Sequence, residues 1–313
     1  MFKTYDLIGN VLVANGTDAA KIHVYVNPDA NERQTILRTT DLDDHSLSSA
    51  LDPDEISRVE FKADHIFIIW KRPENYSFQE HVLFNVSSVG LVLMKDRLVI
   101  ILGEDIALVD GKQSQHVDTV TDIVLNLFSQ TTRHFLEHLK VIKQISREVQ
   151  QKINTALENE YLIQMFSLGE SLTYYLNAIS SNSVVLTKIR NHVDKIGLSP
   201  AQVELLDDIM IENNQCSKQA EIYSSILSGL MDARGTLVNN NMNVILKNLT
   251  IINVVFLPLN LIAGIGGMSE FSMMTKGIDW RVTYLMFLVA MVVIGWLTTL
   301  FIHKFSWWQK KKF

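Results

Sequence analysis

The chain has 313 residues, a formal net charge of −6 and 47% hydrophobic residues. The acidic balance argues against a nucleic-acid partner. The single cysteine, Cys216, provides no disulfide framework and suits a reducing compartment.

Residues 1–116 have strand character. VLVAN, KIHVYV, RVEFKA, HIFIIW, VGLVLM and RLVIILG are bursts rich in β-branched residues. Clusters such as NPDANE, DLDDHS and KRPENYS separate them and read as turns. The opening MFKTYDLIGN lacks the charged-then-apolar pattern of a secretory signal. Helical periodicity begins near Asp118, which makes residues 1–116 an α/β domain and 117–199 a helical region.

Within that region His134-Phe-Leu-Glu137-His138 matches H-x-x-E-H, the inverted zinc-protease signature, with both histidines on one helix face. A third ligand is not evident, and the plain reading is a helix surface. The sequence contains neither a phosphate-binding Gly-x-x-x-x-Gly-Lys-Ser/Thr loop nor an evident nucleophilic triad.

Ser199-Pro200 is a helix start, and the next proline is Pro258. Unbroken helix from Pro200 to about Met268 would be roughly 100 Å long at 1.5 Å per residue. Two helices joined near residues 239–243 are the alternative. Apolar positions keep helical spacing through Ile222, Ile226, Leu230 and Leu237, which favours continuity. Asp207 and Asp208 are adjacent acids on this stalk, residues 200–247.

Two uncharged runs follow. One spans 248–269, between Lys247 and Glu270; the other spans 282–302, between Arg281 and His303. Each exceeds the roughly 20 residues a helix needs to cross hydrocarbon. The loop 270–281 balances Glu270 and Asp279 against Lys276 and Arg281, whereas the tail 303–313 carries four lysines and no acid. The positive-inside rule places that tail, and with two crossings the N-terminal part, in the cytoplasm. Trp296, Trp307 and Trp308 suit the inner interface. The expected location is the inner (cytoplasmic) membrane, in contact with the lipid bilayer.

The first crossing is unusual for a simple anchor. Asn243, Thr250, Asn253, Leu257, Asn260 and Gly264 are spaced by seven, three, four, three and four residues, forming one helix stripe. An asparagine facing lipid is costly, so this stripe faces either another helix or water. The second option is a pore. Two helices cannot enclose one, so several chains must contribute. Leu246 and Leu249, with Leu257, fall on or near the stripe and suit a dewetting gate.

The stretch NNNMNVILKNLTIINVVFLPLNLIAGIGGMSE carries a family resemblance. With the S-G-L-M-D run at Ser228–Asp232, it resembles the first transmembrane helix of the CorA superfamily of divalent-cation transporters, including its ZntB branch. The correspondence covers about 45 residues and includes the M-N pair, L-T-I-I, F-L-P-L and I-A-G-I. The resemblance implies a CorA-like funnel in which an α/β cytoplasmic domain is followed by a long helical stalk and two transmembrane helices. It also implies a homopentamer, divalent cations as transported substrate and regulators, no other cofactor, and no enzymatic activity. Where the family has Gly-Met-Asn at the outer mouth, this chain has Gly267, Met268 and Ser269, followed by Glu270. The missing amide points away from strict Mg²⁺ selectivity toward Zn²⁺, Co²⁺ and Ni²⁺ as well as Mg²⁺. The resemblance also implies an intersubunit metal-sensing role for the Asp207–Asp208 pair, with Asp208 aligned. A metal-sensing scaffold that does not transport and a membrane-anchored metallohydrolase using His134, Glu137 and His138 are the two alternatives.

Overall fold

The computed structural model describes residues 1–8, 11–14, 20–74, 84–106, 117–155 and 160–310. Its contacts divide the chain into two compact units, Met1–Asp232 and Ala233–Phe313.

The first unit is built on a seven-stranded sheet in the order β2-β1-β3-β7-β6-β5-β4. The strands are β1 (Phe2–Ile8), β2 (Val11–Ala14), β3 (Ile22–Val26), β4 (Arg58–Phe61), β5 (His65–Pro73), β6 (Val86–Met94) and β7 (Leu98–Leu102). β3 runs parallel to β7, with Ile22 opposite Leu98, and the other pairings are antiparallel. The six β-rich bursts correspond to β2 through β7. β1 was not among them, because Lys3, Thr4 and Asp6 break up its apolar character.

Helices cover both faces, which is why β3 and β7 are buried throughout and β7, Leu98–Leu102, is a continuous apolar run. On one face Tyr25, Phe67, Ile69, Val92 and Ile101 pack with Ile36 of α1 (Ala30–Thr40) and Leu47 of α2 (Asp44–Leu51). On the other, Ile68, Trp70, Leu91 and Ile100 pack with residues of α3 (Val120–Thr155) and α4 (Glu160–Arg190), and Trp70 stacks on Phe128 at 4.0 Å.

α1 and α2 begin inside segments that read as turns. In NPDANE, Asp29 accepts from the backbone N–H groups of Asn31 and Glu32 and completes a capping box with Glu32. In DLDDHS, Asp43 caps α2 through the Ser46 N–H. Aspartate favours turns and helix N-caps for the same reason, since its short carboxylate bonds nearby backbone N–H groups. α2 lies so close to the sheet that a Cβ on Gly90 would stand 2.6 Å from Cβ of Ala50.

Away from the sheet, α3, α4 and α6 (Pro200–Gly266) form a helical core around Phe135, Leu139, Leu172, Tyr175, Ala220 and Leu227. Cys216 lies in this core, and burial pushes its thiol up to about 12, leaving it protonated and inert. A short helix, α5 (Val193–Ile196), links α4 to α6.

The second unit contains the end of α6, then α7 (Ser269–Met274) and α8 (Trp280–Lys310). α6 is one helix of 67 residues with Pro258 inside it. It includes positions 239–243, where a joint was the alternative. Both α6 and α8 contain segments long and apolar enough to cross a membrane. The loop 270–281 lies partly within α7, which starts at Ser269.

One polar contact fixes α4 to the sheet. β4 begins at Arg58 opposite Ile69, so Lys71 lies beyond the end of its partner on that side of β5. Asn182 of α4 supplies the missing ladder: its Oδ1 accepts from Lys71 N–H at 3.0 Å and its Nδ2 donates to Lys71 C=O at 2.8 Å. Ser57 Oγ also donates to Asn182 Oδ1, at 2.7 Å. Replacing Asn182 with Leu orphans both buried groups at roughly 1–3 kcal/mol each. A lowered thermal unfolding midpoint of the full chain in detergent is expected, and an unchanged midpoint would remove this contact from the account.

Candidate functional site

The stripe of asparagines in α6 can now be placed relative to α8. The half-buried positions of the membrane segment are Ile251, Val255, Pro258, Leu259, Ile262 and Gly266. α8 presents a matching row of half-buried residues: Thr283, Phe287, Met291, Gly295, Thr298 and Ile302. Two close approaches fix the pairing. A Cβ on Gly266 would meet Cζ of Phe287 at 2.5 Å, and one on Gly295 would meet Cδ1 of Leu259 at 3.5 Å.

Asn243, Leu246, Leu249, Thr250, Asn253, Leu257, Asn260 and Gly264 are all exposed. At 3.6 residues per turn they occupy an arc of about 120°, centred roughly opposite the face that meets α8. Within this unit, then, the amides do not pair across the hairpin. Thr250 bonds inward, donating its hydroxyl to Leu246 C=O at 2.8 Å.

Gly266 ends α6. Beyond it the backbone tightens, as Gly267 N–H reaches the carbonyls of Ala263 and Gly264 and Met268 N–H reaches Ile265 C=O at 3.1 Å. Met268 is the N-cap of α7. Gly267, Met268 and Ser269 therefore sit together and exposed at the α6–α7 junction. The side chain of Glu270 lies outside the described residues. Phe271 turns back to Phe287, with ring centroids 5.6 Å apart. A cavity of about 1000 Å³ opens beside this junction, lined by Gly267, Lys276, Asp279, Arg281 and Tyr284 among others.

The two stalk acids differ. Asp207 forms a two-point ion pair with Arg190 of α4, with Nε–Oδ1 at 2.6 Å and Nη2–Oδ2 at 3.2 Å. Asp208 is exposed. Among the described residues, no three His, Cys, Asp or Glu side chains within this chain form a metal-holding group.

The His134–Glu137–His138 motif is not assembled for catalysis. His138 is buried with Nδ1 2.6 Å from the Tyr175 hydroxyl, while Glu137 is exposed. Burial, assisted by His134, pulls the His138 imidazole down to about 4. Burial also keeps the Tyr175 phenol protonated well above its ordinary range. This is a packed His–Tyr contact at the helical core. The metallohydrolase alternative fails because the buried histidine and exposed glutamate share no site with a third ligand among the described residues.

A sequence profile described as "CorA-like Mg2+ transporter protein" matches residues 22–304. The chain belongs to this family. A relative among curated proteins, the cobalt/magnesium transport protein CorA of Methanocaldococcus jannaschii, is 24% identical over 271 residues, covering 80% of this chain and 83% of that protein. The complete structure of the CorA magnesium transporter from the same organism aligns with a TM-score of 0.76 at 20% identity over 96% of each chain. The ZntB cytoplasmic domain of Vibrio parahaemolyticus shares the fold at a TM-score of 0.58 and 10% identity, covering 76% of this chain and 98% of that one. CorA-family proteins are membrane transporters, not enzymes, and this CorA-family chain has their α/β domain, long helix and two membrane-length helices.

Two measurements test this description of the CorA-family chain. Gly266→Ala forces a methyl group into Phe287 and should lower thermal stability in detergent. Phe287→Leu should recover much of that loss, whereas additive losses would contradict the contact. For His138, the unfolded chain takes up a proton near pH 6.5 while the folded chain refuses it until about 4. His138 therefore contributes a loss of stability as pH falls through that window, and the lowered His134 adds to it with the same sign. His138→Gln should flatten the decline of the unfolding midpoint between those pH values. An unaltered slope would contradict the buried neutral imidazole.

Proposed function

We propose that this chain carries divalent metal cations through a homopentameric pore lined by the stripe of α6, with α8 outside it. One observation supports the arrangement above all. The exposed residues Asn253, Leu257, Asn260 and Gly264 lie on the side of α6 away from α8. An amide facing hydrocarbon is costly, so that side requires water or other chains. Five copies around an axis provide both, and amide oxygens can exchange with the hydration shell of a passing ion. Pro258 fits the same scheme, because surrounding helices or pore water can satisfy the carbonyl it frees. Leu246, Leu249 and Leu257 form rings that close the pore by dewetting.

Both termini lie in the cytoplasm, and the membrane is the inner one. The α6–α7 junction then forms the outer mouth. There Gly267, Met268 and Ser269 replace an amide ring with hydroxyls, and Glu270 adds carboxylates that concentrate cations. Mg²⁺ releases water reluctantly and suits a ring of amides, so the serine widens the range of ions. Transport of Zn²⁺ and Ni²⁺ joins that of Mg²⁺ and Co²⁺, the two ions for which the M. jannaschii relative is named. Zn²⁺ passes at least as well as Mg²⁺. On the stalk, Asp208 senses metal at the boundary with a neighbouring copy, while Arg190 holds Asp207.

The test is uptake into liposomes, comparing Mg²⁺, Zn²⁺, Co²⁺ and Ni²⁺, with the purified oligomer measured at five times the 35.6 kDa chain mass. Asn253→Leu or Asn260→Leu should cut flux by about tenfold or more if the stripe lines the path. Ser269→Asn should shift preference toward Mg²⁺. Glu270→Gln should depress uptake of every ion at low salt and little at high salt, where screening shortens the reach of its charge. Full flux with Leu at both Asn253 and Asn260 in an intact pentamer would reject the pore face. An oligomer that binds these ions and passes none would establish the scaffold alternative instead.

A further inference from the structure

Trp70 and Arg72 lie two residues apart on one face of β5, opposite Val89 and Ser87 of β6. Trp70 closes the core against Phe128. Where the next apolar side chain would continue that core stands Arg72. The facing stripe of α3, at spacings of three, four and seven, is Leu127, Gln130, Thr131 and His134. Between strand and helix is a cavity of about 100 Å³, lined by these four residues with Arg72, Val89 and the apolar Ile106. At ~30 Å³ per water, it has room for about three waters or one small ion.

The donor set is that of an anion site. Among the described residues Arg72 engages only its Nε, donating to Ser87 Oγ at 3.0 Å. Its two terminal amino groups carry four more N–H donors. Glu74 and Glu104 act on the guanidinium through space, yet neither forms an ion pair with it among the described residues. Burial and the Arg72 charge both hold His134 below its ordinary value, so near neutral pH its ring is uncharged and can donate one N–H. Gln130 adds a carboxamide. The Thr131 hydroxyl is committed to Leu127 C=O at 2.7 Å. A partly buried guanidinium with no ion pair among the described residues is costly, and a bound negative charge reduces that cost.

We propose that the cavity between β5 and α3, with Arg72 as its charged anchor and Gln130 and His134 as further donors, binds a small monovalent anion of halide, nitrate or formate size. Among the described lining residues Arg72 carries the charge, and the nearby Glu74 and Glu104 disfavour a dianion. The site belongs to the α/β unit and is independent of the pore reading.

The experiment is thermal unfolding of the full-length protein in mild detergent, with chloride replacing gluconate at constant ionic strength. Gluconate is too large for the cavity. In the wild type the midpoint should rise by a few degrees and saturate, as ligand linkage requires, with nitrate acting like chloride and sulfate doing less. Arg72→Met should abolish the saturable rise, and Gln130→Leu should move half-saturation to at least severalfold higher chloride. Equal rises in wild type and Arg72→Met, or no saturable rise in the wild type, would overturn the proposal. Should Arg72→Met fail to fold, an unchanged half-saturation in Gln130→Leu overturns it equally.

Discussion

A buried or lipid-facing polar group must find a partner, and much of this architecture follows from that rule. In the membrane-length part of α6 the unsolved partners belong to Asn253 and Asn260 and to the carbonyl freed by Pro258. The hairpin does not supply them. The α8 contact uses Ile251, Val255, Leu259, Ile262 and Gly266, and it leaves the amides on the far side. The glycines act on the other side of the ledger: Gly266 admits the ring of Phe287, and Gly295 admits Leu259. Small residues at helix contacts let backbones approach where no hydrophobic driving force exists within lipid.

The same rule shapes the α/β unit, with local solutions. Lys71 has backbone groups beyond the end of β4, and the Asn182 carboxamide replaces the missing strand. Its buried ammonium donates to Ser88 Oγ at 2.8 Å and to the carbonyl of Pro53, while desolvation draws its affinity for the proton down. Buried polar groups satisfied in this way tie helix, strand and loop into one arrangement. Arg72 departs from the pattern, having among the described residues one bond, to Ser87, and a cavity before it.

The H-x-x-E-H motif shows how far spacing alone can mislead. Spacing of three and four puts His134, Glu137 and His138 on neighbouring helix positions, but it does not determine which of them meets solvent. α3 buries His138 against Tyr175 and turns Glu137 outward. A catalytic metal centre needs an open coordination position and several converging ligands. The packed His–Tyr contact offers neither.

Much was legible in the sequence because it depends on short-range pattern. Six strands, the two membrane-length helices, the amide stripe of α6 and the family resemblance all follow from periodicity or local motifs. An uncharged run of membrane-crossing length separates 248–269 and 282–302 from the longer but charge-bearing core helices α3 and α4. β1 escaped because its polar residues hide a strand defined by pairing with β2 and β3. α1 and α2 escaped because an aspartate cap and an aspartate turn look alike until the following backbone is seen. The strand order, with β3 parallel to β7, depends on pairings between distant segments, which no local pattern encodes. Tertiary structure alone decided that Asp207 is held by Arg190, that Arg72 faces α3 across a cavity, and that α8 covers one side of α6. Each is a contact between elements far apart in the chain, fixed by the packing of whole faces rather than by the residues beside them.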